Sequence, residues 1–222
     1  MSNQTYTLAQ SSDALAVNRV LRNTYMLLSA TLLFSALVAG FAMATNAPYP
    51  GIILTLVGVY GLMFLTYRLR NSAWGLVSTF AFTGFLGYTL GPILNMVTSS
   101  YANGSQIIMM ALGGTGLIFL GLSAYVLTTR KDFSFMTGFM VVGTLVALVL
   151  MVLGFFFHAP GFQLAISGVF MLLSSGWILW QTSAIIHGGE RNYILATIGL
   201  YVQIYNLFIS LIQILSAFNG RE

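Results

Sequence analysis

The side chains able to do chemistry are few, and most of them gather in residues 180–206, WQTSAIIHGGERNYILATIGLYVQIYN. A polar turn at 187–192 carries His187, Glu190 and Arg191 and separates two apolar stretches, each holding a glutamine, Gln181 and Gln203. Residues 165–186 and 193–218 are each long enough to cross a bilayer at ~1.5 Å rise per residue. Counted from the turn, Gln181 lies roughly 10 Å deep and Gln203 roughly 15 Å, so the sequence predicts that two amides meet across a helical hairpin. Gln163, Ser167, Ser174 and Gln181 fall near one face of the first helix. Gly199, Gln203, Asn206, Ser210 and Gln213 fall near one face of the second. An unpaired amide in hydrocarbon costs several kcal/mol, so both faces are expected to point inward. Two roles are open to such amides: a polar core that receives a guest, or simple glue between helices worth about 1 kcal/mol or less per bond.

Other chemistry is poorly supplied. The four carboxylates, Asp13, Asp132, Glu190 and Glu222, sit near the termini or in short loops, and none falls inside an apolar run. Proton relays and cation pathways usually place an ionisable group at depth. With no cysteine and two histidines, no metal site or bound cofactor is expected. An intramembrane enzyme needs a nucleophile beside a base or a pair of acids, and the spans offer serines without either. His187 ends an apolar helix just before Gly188 and Gly189, where it can cap the last carbonyls or act as a group titrating near neutrality. The GGTG at 113–116 lies in an apolar run and lacks the Lys-Ser or Lys-Thr of a phosphate loop.

The elements that position these residues follow from composition. At 58% hydrophobic and 5% charged, the 222-residue chain cannot cover a soluble surface and reads as an all-α integral membrane protein. Apolar runs predict seven spans at 25–44, 52–67, 74–96, 107–128, 135–157, 165–186 and 193–218. In domain terms, residues 1–23 form an exposed cytoplasmic tail and 24–218 a membrane domain whose last hairpin is 163–218, followed by a short C-terminal tail at 219–222. Arg19, Arg22, Arg68, Arg70, Arg130, Lys131 and Arg191 fall on alternate ends of the spans, with Arg221 the one exception. That pattern predicts a cytoplasmic N-terminus and a C-terminus on the opposite side. The net charge of +4 lies in short loops and does not suggest nucleic acid; the bilayer is the expected surroundings. In the third span, Gly87 and Gly91 stand four apart before Pro92, a pattern for close helix packing or for a ligand-lined bend.

Several blocks together resemble the Bax inhibitor-1 family, and most closely its bacterial YccA-like branch. They are RNTYMLLSATL at 22–32, ILTLVGVYGLMFLTY at 53–67, AFTGFLGYTLGPILN at 81–95, MALGGTGLIF at 110–119, SAYVLTTRKDFSF at 123–135, IIHGGERNYILAT at 185–197 and LYVQIYNLF at 200–208. The resemblance implies a seven-transmembrane-helix bundle with the C-terminal helix central, in a bacterial inner membrane, with the C-terminus periplasmic. For many members it implies a pH-sensitive calcium leak gated by two aspartates, whose matching positions here are Gln181 and Gln203. A glutamine carries neither the proton nor the charge of that mechanism. For the YccA-like branch it implies a modulator, and slow substrate, of the membrane-bound FtsH protease, which engages the N-terminal tail. The expected function is therefore an interaction protein acting on FtsH; the alternative is a cation leak with its aspartate pair replaced.

Overall fold

The computed structural model describes residues 2–154, 156–157 and 159–219, with side chains from residue 15 onward apart from Pro160. Seven helices follow one another: α1 Ser2–Ala44, α2 Ile52–Leu69, α3 Ala73–Ser100, α4 Gly104–Thr129, α5 Thr137–Gly154, α6 Pro160–Ile186 and α7 Tyr193–Asn219. A single 3-10 turn, Ser134–Met136, leads into α5. All seven helices contain a segment long and apolar enough to cross a membrane. Helices are the expected answer in hydrocarbon, because each one satisfies its own backbone donors and acceptors.

Two boundaries take a specific form. The stretch read as an exposed tail, residues 1–23, is helical from Ser2, and α1 runs unbroken from there into the first span. The physical reason is the absence of any proline or glycine before Gly40, so polarity alone does not end the helix. The fifth span, expected over 135–157, is formed by the 3-10 turn and α5 together, Ser134–Gly154, and so ends three residues earlier. Arg221, the exception to the charge pattern, and the short C-terminal tail beyond Asn219 lie outside the described residues.

The bundle is organised around α7, which packs against α1, α2, α3, α4 and α6. Its buried side chains, among them Ile194, Leu200, Tyr201, Ile204, Leu207 and Ile212, point in several directions, as a central helix requires. Phe82, Leu86, Leu28, Phe119 and Ile178 close around them from α3, α1, α4 and α6. By contrast α2 buries only Thr66, and α5 buries Met140, Ala147 and Gly154 on the side that meets α6. Lipid tails are as apolar as leucine, so the bundle is held by dispersion and close fit rather than by escape from water.

Glycine provides that fit where α1 and α3 touch. A Cβ on Gly87 would lie 2.5 Å from the Ser35 carbonyl oxygen, and one on Gly91 2.5 Å from the Ala42 Cβ. Two backbones therefore approach more closely than any larger residue permits. Pro92 sits inside α3, which continues through it to Ser100. Asn95, one turn nearer the α3 C-terminus than Gly91, donates to the Met43 carbonyl at 3.0 Å and closes the same seam.

Candidate functional site

Most hydroxyls in the spans are spoken for locally. Thr66, Thr79, Thr83 and Thr115 each donate to a carbonyl four residues back on their own helix. Such back-bonds satisfy the hydroxyl and leave it little to offer a guest. What remains is a ladder of contacts between helices, centred on α7.

Thr197, Tyr201 and Tyr205 follow one another at four-residue spacing on α7 and each reaches a neighbour. Thr197 lies 3.3 Å from the Thr24 carbonyl of α1, while its hydroxyl also meets the Tyr193 carbonyl at 2.7 Å. The Tyr201 hydroxyl, on a side chain only 1% exposed, donates to the Thr83 carbonyl of α3 at 3.1 Å and accepts from the Ser35 hydroxyl of α1. Since Thr89 gives its proton to the Leu86 carbonyl, Tyr205 donates to the Thr89 hydroxyl oxygen at 2.9 Å. A cavity of about 100 Å³ adjoins these groups, lined in part by Ser35, Thr115, Tyr201 and Tyr205. The ladder joins α1, α3 and α7 into one polar-stapled core.

The two glutamines lie on the adjacent helices α6 and α7. Gln181 lies flat on α7, where a Cβ on Gly199 would sit 2.8 Å from its Oε1 atom. Gln203 is one turn further along α7 from Gly199. Each amide makes no hydrogen bond to the other or to any other described group. Asn206 borders a 440 Å³ cavity with Gln163, Ser210 and Gln213, walled by Met151 and Gly154 of α5 and Phe170 of α6. A second cavity, of about 500 Å³, shares Gln163 and Gln213 and continues toward Tyr101 and Ser216. Within this region Gln163 donates to the Gly154 carbonyl at 2.9 Å, and the Ser167 hydroxyl lies 2.6 Å from the Gln213 Oε1.

The inward direction expected of both stripes therefore holds for Ser167, Ser174 and Ser210, all buried, but not for Gln163 and Gln213, which are exposed along the cavities. The cause is the sparse cover that α5 gives to α6, which leaves a groove open beside the end of α7.

The cytoplasm-expected turn is built by capping. Gly188 adopts φ +74°, the left-handed geometry that favours glycine after a helix. The backbone N–H groups of His187, Gly188 and Glu190 bond the carbonyls of Ser183, Ile185 and Ala184. His187 Nδ1 lies 2.9 Å from the Ser183 carbonyl, and Arg191 Nε donates to the Gly188 carbonyl at 3.3 Å. Glu190 accepts the Asn192 N–H at 2.8 Å. Asn192 then opens α7: its Oδ1 accepts the N–H groups of Ile194 and Leu195, and its Nδ2 donates to the Arg70 carbonyl and Asn71 Oδ1. One side chain thus caps the central helix and ties it to the link between α2 and α3. Across a 250 Å³ cleft from His187 and Glu190, Asp132 accepts the Ser134 N–H at 2.8 Å. That bond, with the Ser134 hydroxyl and the charge of His187, holds the Asp132 carboxyl below its ordinary range.

Sequence reasoning missed Ser35, Thr83, Thr89, Tyr201, Tyr205 and Asn192. A signal for two of them was present, since Tyr201 and Tyr205 continue a four-residue spacing from Thr197. Tyrosines in an apolar chain read first as interface anchors, which conceals a hydroxyl used at depth.

With this geometry in place, comparison with known proteins is informative. Residues 17–220 match the family model described as Inhibitor of apoptosis-promoting Bax1. The chain is 58% identical, over 95% of both chains, to the protein named Modulator of FtsH protease YccA in Escherichia coli K12. It is 58% identical over the whole of an uncharacterized protein of Pseudomonas aeruginosa, and 45% identical to an uncharacterized membrane protein of Vibrio cholerae over 94% of this chain and 93% of that one. The seven-helix bundle, its central α7 and its full-length likeness to these relatives agree on one assignment: the chain belongs to the Bax inhibitor-1 family.

Proposed function

We propose that this chain modulates the FtsH protease from within the bacterial inner membrane and is itself a slow substrate of it. The observation that carries this reading is the 58% identity, spread over 95% of both chains, with a relative named as a modulator of that protease. The same relative in another Escherichia coli strain is named an inner membrane protein. The positive charges flanking the spans support a cytoplasmic N-terminus and a periplasmic C-terminus. In that orientation the α1 extension before the first span stands in the cytoplasm and serves as the handle by which the protease engages the chain. The bundle core has the character of a rigid interaction body: the Ser35, Thr89, Tyr201 and Tyr205 hydroxyls are tied between helices rather than aimed at a reacting centre.

The deciding measurement is the half-life of a membrane substrate of FtsH in cells with and without raised levels of this protein. A prolonged half-life is expected, and an unchanged one overturns the reading. Removing residues 2–14 tests the handle separately, by its effect on the protein's own turnover.

A further inference from the structure

At the end of the bundle that carries Arg130 and the 187–192 turn, α1, α4 and α6 diverge around a cavity of about 590 Å³. Its wall is apolar on three sides, from Val17 and Leu21 of α1, Leu127 of α4 and Ile186 of α6. Its polar groups are Asn18, Arg130 and His187. The neighbouring cleft with Asp132 and Glu190 lies on the other side of His187. Both of those carboxylates already accept backbone N–H groups, from Ser134 and Asn192.

Arg130 is unusual in two ways. Its backbone is left-handed at φ +51° and ψ +29°, in the position after a helix where glycine is the ordinary occupant. A bulky side chain is held there against its conformational preference. Its guanidinium makes no hydrogen bond or ion pair among the described residues. It also lines the cavity from its exposed rim, as Asn18 and His187 do. His187 engages the Ser183 carbonyl through Nδ1, which leaves Nε2 for another partner, and the Asn18 amide has none among the described residues.

The floor supplies an independent observation. One turn deeper than Leu21, Leu127 and Ile186 on the same three helices stand Tyr25, Ser123 and Thr182. Their hydroxyl oxygens are buried and have no hydrogen-bond partner among the described residues. Ser123 is 3% exposed and Thr182 fully buried. Buried hydroxyls without partners are rare in native structures and mark places where a polar guest completes the count. Three of them, each one turn in from a residue that lines the cavity, favour a polar occupant at this end of the bundle.

We propose that this cavity binds a phosphate-type anion at the membrane surface, with Arg130 as its charge partner and the apolar wall accommodating any attached hydrocarbon. A planar guanidinium presents paired N–H donors that match phosphate oxygens, and the Asn18 amide adds donors of its own. The C-terminal ends of α4 and α6 oppose an anion with a fraction of a charge that fades within one turn. Several of their last carbonyls are occupied by the N–H groups of Arg130, His187, Gly188 and Glu190, so the full charge of Arg130 outweighs them. Free phosphate and the head group of an anionic phospholipid share this chemistry. The inference is independent of the protease reading and stands or falls separately.

The test uses the full chain in nanodiscs of neutral phosphatidylcholine, following its thermal unfolding midpoint. One arm adds inorganic phosphate at constant ionic strength, and the other replaces part of the lipid with phosphatidylglycerol. A saturable rise in midpoint is expected in at least one arm. A rise with phosphatidylglycerol only assigns the lipid as occupant, and a rise with phosphate in both settings assigns the free anion. Arg130→Gly relieves the left-handed strain and is expected to fold while raising half-saturation about tenfold or more. Arg130→Gln serves as a second variant. Lys131→Gln, whose ammonium lies against the Tyr125 ring instead, is expected to leave the titration unchanged. No saturable rise in either arm, Arg130 variants titrating like the unaltered chain, or an equal loss with Lys131→Gln would each overturn the proposal.

Discussion

Replacing Gly87 with alanine tests whether the α1–α3 seam holds the bundle. The added methyl would lie 2.5 Å from the Ser35 carbonyl oxygen, 2.7 Å from its hydroxyl and 3.0 Å from its Cα. Two of those three atoms are backbone, so relief requires α1 to move. Overpacking of this kind costs about 1–3 kcal/mol, and the rigid partner argues for the upper half. Displacing Ser35 also strains its bond to Tyr201. Alanine is about 1 kcal/mol better than glycine in a helix, which offsets part of the loss. Gly113→Ala is the matched control, because a Cβ there meets nothing within 4 Å and carries the same propensity gain. The difference between the two variants therefore isolates the steric contact, at roughly 2–3 kcal/mol. For a chain of this size that is about 4–12 °C in unfolding midpoint, readable for detergent-solubilised protein by tryptophan fluorescence. If Gly87→Ala is as stable as Gly113→Ala, the close approach of α1 and α3 is not a determinant of stability.

Further outcomes follow from other contacts. Tyr201→Phe leaves Ser35 without its acceptor and is expected to lower stability by about 1 kcal/mol, seen in the same assay. Asn192→Ala removes the cap of α7 and its tie to residues 70 and 71, with an expected loss of about 1–2 kcal/mol; Asn192→Asp restores the cap but not the tie, and lies between. Gly199→Ala meets the end of a flexible Gln181 side chain rather than backbone, so it is expected to cost less than Gly87→Ala. The lowered folded-state pKa of Asp132 means that its contribution is present above the unfolded aspartate value and is lost as pH falls through the folded one. In a pH series of unfolding midpoints, Asp132→Asn is expected to lack that acid-side decline; an identical profile in both proteins refutes the assignment.

The spans were legible in the sequence because each is a long apolar run ended by charge, proline or asparagine, and the bilayer leaves helices as the natural outcome. What periodicity misjudged was which polar groups do the joining. Glutamines at similar depth on two adjacent helices invite pairing, yet among the described residues neither amide is hydrogen-bonded, and the Gln181 amide fills the space that Gly199 leaves. Tyr201, which carries the interhelical bonds, is indistinguishable by composition from an interfacial anchor until its neighbours are known. The helical start of α1 was hidden because its first residues are polar, and helix continuity depends on the absence of breakers as much as on apolar content. Centrality of α7 is likewise invisible to hydropathy, since seven similar runs do not say which one the others surround.

The position of α7 also bears on how the protein is made. Synthesis runs from the N-terminus, so the helix at the centre of the bundle is the last to reach the membrane. Until it arrives, Ser35, Thr83 and Thr89 face a gap with no tyrosine to meet them, and the link between α2 and α3 lacks the side chain of Asn192. A nascent chain stopped after six helices would be an open ring around an absent axle, and the final 27-residue helix acts as the keystone that converts membrane insertion into completed folding.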